Sequence, residues 1–196
     1  MSIAIIDYHA GNIQSVLFAL ERMGKSAFLS NKASEIQSAE KVIFPGVGEA
    51  KSTMKYLAKL GLDTIIPKLE QPVLGICLGM QLLCEHSEEN DTPCLGIIPL
   101  KVRRFLPQQN EQKVPHVGWN QIQHQDSPLL NGIKQEAFVY FVHSYYVEQG
   151  AYTSATCNYI HPFSAAIHKD NFYATQFHPE KSGDIGAKIL DNFLSL

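Results

Sequence analysis

The stretch that most restricts this chain runs from Gln71 to Gln81 and reads Q-P-V-L-G-I-C-L-G-M-Q. Val73, Leu74 and Ile76 form a short apolar run, the pattern of a strand buried on both faces of a parallel sheet. Gly75-Ile76-Cys77-Leu78-Gly79 leads from it into a segment with helical spacing. G-x-C-x-G at a strand-to-helix turn is the cysteine form of the nucleophile elbow. Gly75 and Gly79 carry no Cβ, so strand and helix can approach closely and the turn can hold a strained backbone. Cys77 then stands at a helix N-terminus, where free N–H groups and the macrodipole favour negative charge. The thiolate is the reactive form of cysteine. A core cysteine between structural glycines has the same spacing, so the elbow alone leaves both readings open.

The rest of the chain sets the frame. Its 196 residues suit a single domain, 1–196, with a substantial core. A net charge of −3 with neutral histidines gives no electrostatic case for nucleic acid. No apolar run approaches membrane-spanning length. The opening M-S-I-A-I-I-D enters a strand at once and lacks the basic-then-apolar pattern of a leader. The expectation is a cytoplasmic protein that touches neither membrane nor nucleic acid. Cys77, Cys84, Cys94 and Cys157 show neither a C-x-x-C pair nor a metal-ligand spacing, so reduced thiols, no metal and no cofactor are expected.

Read in order, Ser2 to Asp7 forms a first buried strand and Tyr8-His9-Ala10-Gly11-Asn12 its turn. Ile13, Val16, Leu17 and Leu20 recur at helical spacing up to Gly24, and Ala27 to Leu29 is a second strand. This β-α-β opening predicts parallel strands. Lys41 to Phe44 is a third strand running into Pro45-Gly46-Val47-Gly48, a turn whose backbone N–H groups can face an anion or a polarised carbonyl. Glu49 marks a helix start, and Met54, Leu57, Ala58 and Leu60 give that helix a buried face. Glu85 to Asp91 reads as a polar exit from the elbow helix. From about Leu95 short β-like pieces take over: Leu100 to Phe105, Lys113 to Val117, Ala137 to Val142, Thr153 to Asn158, Ser164 to His168 and Phe172 to Gln176. Ile185, Ile189 and Phe193 close the chain with a helix. The fold class expected is α/β: a mostly parallel sheet flanked by helices, with additional antiparallel strands in the C-terminal half.

A cysteine nucleophile needs a base, and the base needs an orienting group. Of eight histidines, His178 has the best context, Phe177-His178-Pro179-Glu180. Pro179 pushes His178 toward extended geometry. In an extended segment i and i+2 point to one side, so Glu180 can hold the His178 imidazole. His116 and His143 follow apolar strand residues and read as satisfied, half-buried histidines. His9, His86, His124, His161 and His168 have no partner pattern.

G-I-C-L-G-M-Q at 75–81, F-P-G-V-G at 44–48 and F-H-P-E at 177–180, in that order, resemble the class I (triad) glutamine amidotransferases. D-Y-H-A-G-N-I at 7–13, P-H-V-G-W-N at 115–120, H-S-Y-Y at 143–146 and H-P-E-K-S-G at 178–183 are similar to the glutaminase subunits of imidazole glycerol phosphate synthases, of histidine biosynthesis. The resemblance covers nearly the whole chain. His9, where a small residue is frequent, and Glu49, where an alanine is common, depart from it outside the triad.

The resemblance implies L-glutamine as substrate, with Cys77, His178 and Glu180 as catalytic triad. It implies an oxyanion hole from the Leu78 and Val47 N–H groups. Gly46, Gly48, Gln81, Glu89, Ser144 and Tyr145 would hold the glutamine, Glu89 suiting an α-ammonium and the backbone near Ser144 and Tyr145 an α-carboxylate. It also implies a separate partner, a (β/α)8-barrel cyclase subunit that consumes the ammonia in a heterodimer. Asn12, Trp119, Asn120 and Lys181 would lie at that interface, although a core role for Trp119 fits the sequence equally well. Three rivals are the glutaminase of another synthase, a thiol hydrolase or cysteine peptidase on the same fold, and a non-catalytic binding module.

Overall fold

The computed structural model describes residues 1–8, 13–107 and 113–196. Its first half alternates strands and helices: β1 (Ile3–Ile6), α1 (Ile13–Arg22), β2 (Phe28–Ser30), α2 (Ala33–Ser38), β3 (Lys41–Phe44), α3 (Ala50–Lys59), α4 (Leu62–Ile65), β4 (Val73–Ile76) and α5 (Leu78–Leu83). Then come β5 (Cys84–Ser87), β6 (Thr92–Pro93), β7 (Ile98–Arg104), β8 (His116–His124), β9 (Ala137–His143), β10 (Tyr145–Val147), β11 (Thr153–Asn158), β12 (Pro162–Lys169), β13 (Phe172–Thr175) and the closing helix α6 (Gly183–Leu194).

One continuous sheet carries all of these strands. Its main path is β2-β1-β3-β4-β13-β12-β10-β7-β5-β6, with β11 joining β12 to β8 and β9 beyond. From β2 to β13 every pairing is parallel. Beyond β13 the pairings turn antiparallel, except where β5 runs alongside β7. The expected α/β class with antiparallel strands in the second half is what forms.

The residues explain the split. β1, β3, β4 and β13 are buried at every position, as strands covered by helices on both faces must be. β7 instead alternates buried Ile98, Leu100 and Val102 with outward Pro99 and Lys101, the pattern of a sheet with one wet face. Helix α1 turns Ile13, Val16, Ala19 and Leu20 inward, and Gly24 ends it with a left-handed φ of 70°. Glu49 starts α3, accepting the Ser52 N–H at 3.2 Å. Its other carboxylate oxygen accepts from the Asn90 amide. The unusual residue after the glycine turn is therefore a helix cap tied to the loop at 90.

Two segments differ from expectation. The polar exit at 85–91 begins with a strand, Cys84–Ser87, because β7 on one side and β6 on the other pair it, through an irregularity between Cys84 and His86 that leaves both Cys84 and Ser87 buried. A β8 strand from His116 to His124 replaces the shorter one expected from Lys113, since pairing with β9 from His116↔His143 to Ile122↔Ala137 sets its length.

The topology decides where chemistry can happen. β3, β4 and β13 are adjacent and parallel. Loops leaving their carboxyl ends must therefore converge in the crevice where α/β sheets bind ligands. Those loops are the glycine turn after β3, the elbow after β4 and the Gln176-to-Glu180 segment after β13.

Candidate active site

Cys77 joins β4 to α5 with φ 54° and ψ −107°, a conformation that a non-glycine residue holds only under constraint. Two contacts impose it. The Cys77 N–H donates to the Thr175 carbonyl at 2.7 Å, tying the elbow to the end of β13. Gly79 lets the first turn of α5 press on β3, since a Cβ there would stand 1.9 Å from the Phe44 carbonyl oxygen. Gly46 obeys the same constraint from the other side, because its Cβ would meet the Gly79 nitrogen at 2.5 Å. Two glycines legible in the sequence thus bring the turn at 45–48 against the elbow.

His178 and Glu180 follow β13, with His178 extended as Pro179 requires. The His178 Nδ1 lies 2.7 Å from Glu180 Oε1, and both side chains are fully buried. The loop is pinned from behind: the His178 N–H donates to the Tyr140 carbonyl at 2.9 Å, and Ser182 Oγ donates to the His178 carbonyl at 2.7 Å. The imidazole lies close enough to the Cys77 side chain for the two to interact electrostatically. Burial alone pushes the His178 imidazolium toward deprotonation, but the Cys77 thiolate and the Glu180 carboxylate together outweigh it, and the pKa is raised to about 10. The fold thus brings His178 and Glu180 into contact beside the elbow of Cys77, 101 and 103 residues earlier in the chain.

In front of them opens a cavity of about 330 Å³ lined by Val47, Gly48, Cys77, Gln81, Glu89 and the Val142–Tyr145 strand end, among others. That volume lies at the small end of ligand-sized pockets. Tyr8, also buried here, donates its hydroxyl to the Pro45 carbonyl at 2.5 Å. Burial, and then the nearby Cys77, push its phenol pKa up.

Comparison with known proteins agrees with this geometry. The family model described as "Glutamine amidotransferase class-I" matches residues 4–196. The chain belongs to the class-I glutamine amidotransferases. Among relatives, the imidazole glycerol phosphate synthase subunit HisH of Bacteroides thetaiotaomicron is 58% identical over 196 residues, covering 100% of both chains. The protein of that name from Vibrio cholerae is 44% identical, covering 100% of this chain and 98% of its own. HisH 2 of Legionella pneumophila is 49% identical, covering 99% of this chain and 98% of its own. Among solved structures, a glutamine amidotransferase superposes with a TM-score of 0.76 at 17% identity, covering 98% of this chain and 97% of that one. The structure of PurLQS from Thermotoga maritima gives 0.72 at 17%, covering 99% and 97%. At such identities these two speak for the fold.

Within this amidotransferase, most of the expected ligand-holding residues line the cavity: Gly48, Gln81, Glu89, Ser144 and Tyr145. Gly46 lies just behind, its carbonyl accepting the Leu78 N–H at 3.4 Å. Glu89 accepts the Ala50 N–H at 2.7 Å. Burial, partly offset by that bond and reinforced by Glu49, raises its pKa. Of the expected interface residues, Asn12 lies outside the described residues, as does His9. Trp119 is 54% exposed, so it is a surface aromatic that packs edge-on against Tyr140. Lys181 is exposed beside the His178 loop. Asn120 is half-buried and committed within the chain: its Nδ2 donates to the Asn158 carbonyl at 2.9 Å and its Oδ1 accepts the Gln121 N–H at 2.8 Å.

His116 and His143 are more deeply buried than expected, stacked among Phe105, Phe141, Phe163 and Tyr159. His116 Nδ1 lies 3.0 Å from His143 Nε2, and His143 Nδ1 donates to the Tyr145 carbonyl at 2.7 Å. Burial lowers His116 to about 4. It lowers His143 to about 3, the Tyr145 bond opposing and His116 and His178 assisting. Both rings stay neutral. Sequence reasoning missed Gln176 and Tyr8 at the site. For Gln176 a signal existed, since residues 176 and 178 of an extended segment share a side. Glu180 does not continue that segment as expected, because Pro179–Lys181 forms a 3-10 turn that carries its carboxylate back to the ring.

Proposed function

We propose that this chain, as a single domain over 1–196, is the glutaminase subunit of an imidazole glycerol phosphate synthase in histidine biosynthesis, working in the cytoplasm. The carrying observation is the buried His178–Glu180 pair set beside the strained Cys77 elbow that lines the cavity. The Cys77 thiolate attacks the side-chain amide of L-glutamine. The imidazolium of His178 protonates the departing ammonia. The neutral ring then takes a proton from water, which cleaves the thioester to glutamate and regenerates the thiolate. Glu180 holds the ring in the tautomer that presents Nε2 to sulfur and substrate. The chain's own side chains and backbone perform each of these steps, so no cofactor is required.

Substrate placement follows from the lining. Glu89 faces the α-ammonium, Gly46, Gly48 and Gln81 border the side chain, and the backbone at Ser144 and Tyr145 receives the α-carboxylate. The oxyanion is stabilised by the Leu78 N–H at the elbow and by the Val47 N–H.

The second donor is not presented. The Leu78 N–H donates to the Gly46 carbonyl at 3.4 Å, so that carbonyl stands where an oxyanion would sit. Turning over the Gly46–Val47 peptide would remove the carbonyl and offer the Val47 N–H instead. Gly48, at φ 120°, gives the turn backbone freedom for such a change. The free chain is therefore nearly silent until a partner binds.

That partner is the (β/α)8-barrel cyclase of the synthase, which receives ammonia in a heterodimer and forms imidazole glycerol phosphate and aminoimidazole carboxamide ribotide. Trp119 and Lys181, exposed beside the site, are proposed contacts, with Asn12 and, through its hold on the Asn158 strand, Asn120. The test measures ammonia release from glutamine by the chain alone, then with the cyclase plus its acceptor ligand, in native and Cys77→Ala forms. Strong activation that Cys77→Ala abolishes is expected. Equal rates with and without the cyclase remove the gating, and activity in Cys77→Ala removes the assignment.

A further inference from the structure

Three side chains behind the nucleophile have their orientations dictated by a single backbone carbonyl. The Tyr145 carbonyl can only accept. It receives Gln81 Nε2 at 3.0 Å and His143 Nδ1 at 2.7 Å. The atom that Gln81 turns toward it must therefore be the amide nitrogen. That same nitrogen lies 3.0 Å from Gln176 Oε1, which must accept. With its oxygen committed to Gln81, Gln176 has only its NH₂ group for its other neighbour, and that neighbour is Cys77 Sγ at 3.6 Å. Sulfur's large radius makes this a hydrogen-bonding separation. A relay from Tyr145 through Gln81 to Gln176 thus leaves no choice of amide orientation and points a donor at the reactive atom.

We propose that Gln176 is a catalytic residue: its Nε2–H donates to the Cys77 sulfur, stabilises the thiolate and aims it at the substrate carbonyl. Gln81, which holds that amide, is a positioning residue for it. The inference rests on Cys77 being the nucleophile of the proposed reaction. Gln176 is fully buried, so its amide has no water to satisfy it and its bond to sulfur acts in a low-dielectric setting. It follows β13 two residues before His178, so alternate residues of one extended segment bring a hydrogen-bond donor and then the base to the same sulfur.

The other groups around the sulfur leave this role open. The Val142 carbonyl, 3.8 Å away, can only accept, and so serves the protonated thiol. Tyr8 spends its hydroxyl on the Pro45 carbonyl, and His178 must surrender its proton during the reaction, with Glu180 behind it. His143 faces Tyr145 and His116. Gln176 is the donor that keeps its proton through every step. Gln81 has both amide hydrogens committed, so only its Oε1 remains to meet a ligand in the cavity, as an acceptor toward an N–H group.

The test is alkylation of the full chain by iodoacetamide, followed by mass mapping of the Cys77 peptide, because Cys94 is also partly accessible. In Gln176→Met, which keeps the length and removes the donor, the Cys77 rate at pH 7 is expected to fall about tenfold, the low end for a hydrogen bond to a charged group. Gln176→Glu, which still accepts from Gln81, should be slower still and provides the test should the Met variant not fold. No change at pH 7 overturns the proposal, and so does a Gln176→Glu rate no lower than that of Gln176→Met, which marks a displaced sulfur rather than a lost donor. Alkylation involves no glutamine, so it judges Gln176 separately from the glutaminase reading, which Cys77→Ala decides.

Discussion

Gly79→Ala is the most informative single change because two rules give opposite signs. In an ordinary helix interior, alanine is better than glycine by about 1 kcal/mol. At Gly79 the new Cβ would stand 1.9 Å from the Phe44 carbonyl oxygen. Carbon and carbonyl oxygen normally approach no closer than about 3.3 Å, so helix and strand must part by roughly 1.4 Å. The atom in the way is backbone in a fully buried strand and cannot swing aside. Overpacking of this kind costs up to about 3 kcal/mol, leaving a net loss of about 2 kcal/mol after the propensity gain. For a chain of this size that is a fall in Tm of about 4–8 °C. Activity should suffer more than stability. The displaced end of β3 carries the Gly46–Val47 peptide away from the Leu78 N–H, now 3.4 Å from the Gly46 oxygen. An oxyanion hole deprived of one donor loses about a hundredfold or more in kcat. Thermal melts and glutaminase turnover with the cyclase present measure both. A Tm equal to or above that of the native chain, with turnover intact, refutes the close-approach argument.

The remaining expectations test charge and surface. In Cys77→Ala the His178 ring, held at about 10 in the native chain with help from the thiolate, should titrate lower by NMR; an unchanged midpoint breaks the imidazolium–thiolate pairing. Because the folded value exceeds the usual 6.5, the stability from this group is fully present below pH 6.5 and is lost as pH rises through about 10. His116 and His143, held down near 4 and 3, work the other way: their contribution is present above pH 6.5 and lost as pH falls toward those values, by up to about 1.4 kcal/mol per pH unit for each. Denaturant midpoints at pH 6.5 and 4.5 should therefore diverge, and His116→Phe should narrow the gap. Glu180→Gln removes the carboxylate 2.7 Å from Nδ1 and should cut kcat by about a hundredfold or more while glutamine KM changes little; a change confined to KM contradicts an orienting role. Trp119→Ala, at a position 54% exposed, should leave Tm unchanged and weaken cyclase binding about thirtyfold in calorimetry, the scale of an interface hot spot.

Local chemistry made the elbow, the glycine turn and the His178–Glu180 pair legible before any coordinates. Each depends on neighbours within five residues: glycines that permit close approach, a proline that keeps the preceding histidine extended, and a carboxylate two residues after that histidine. For the same reason the buried strands of the parallel half and the amphipathic helices α1 and α6 could be read directly, whereas α3 turns Ala50, Thr53 and Leu57 inward and leaves the expected Ala58 exposed. The short strand at Cys84–Ser87 could not, because its charged sequence pairs only when β7 arrives from later in the chain. Long-range pairing also decided the extent of β8 and the deep burial of His116 and His143 among four aromatic residues. Gln176 marks the boundary most sharply. Its place on the same side as His178 was written in the alternation, but that its nitrogen rather than its oxygen faces Cys77 follows from a carbonyl 31 residues earlier, at Tyr145. Period and propensity act along the chain, whereas the direction of a buried hydrogen bond depends on what the folded sheet sets beside it.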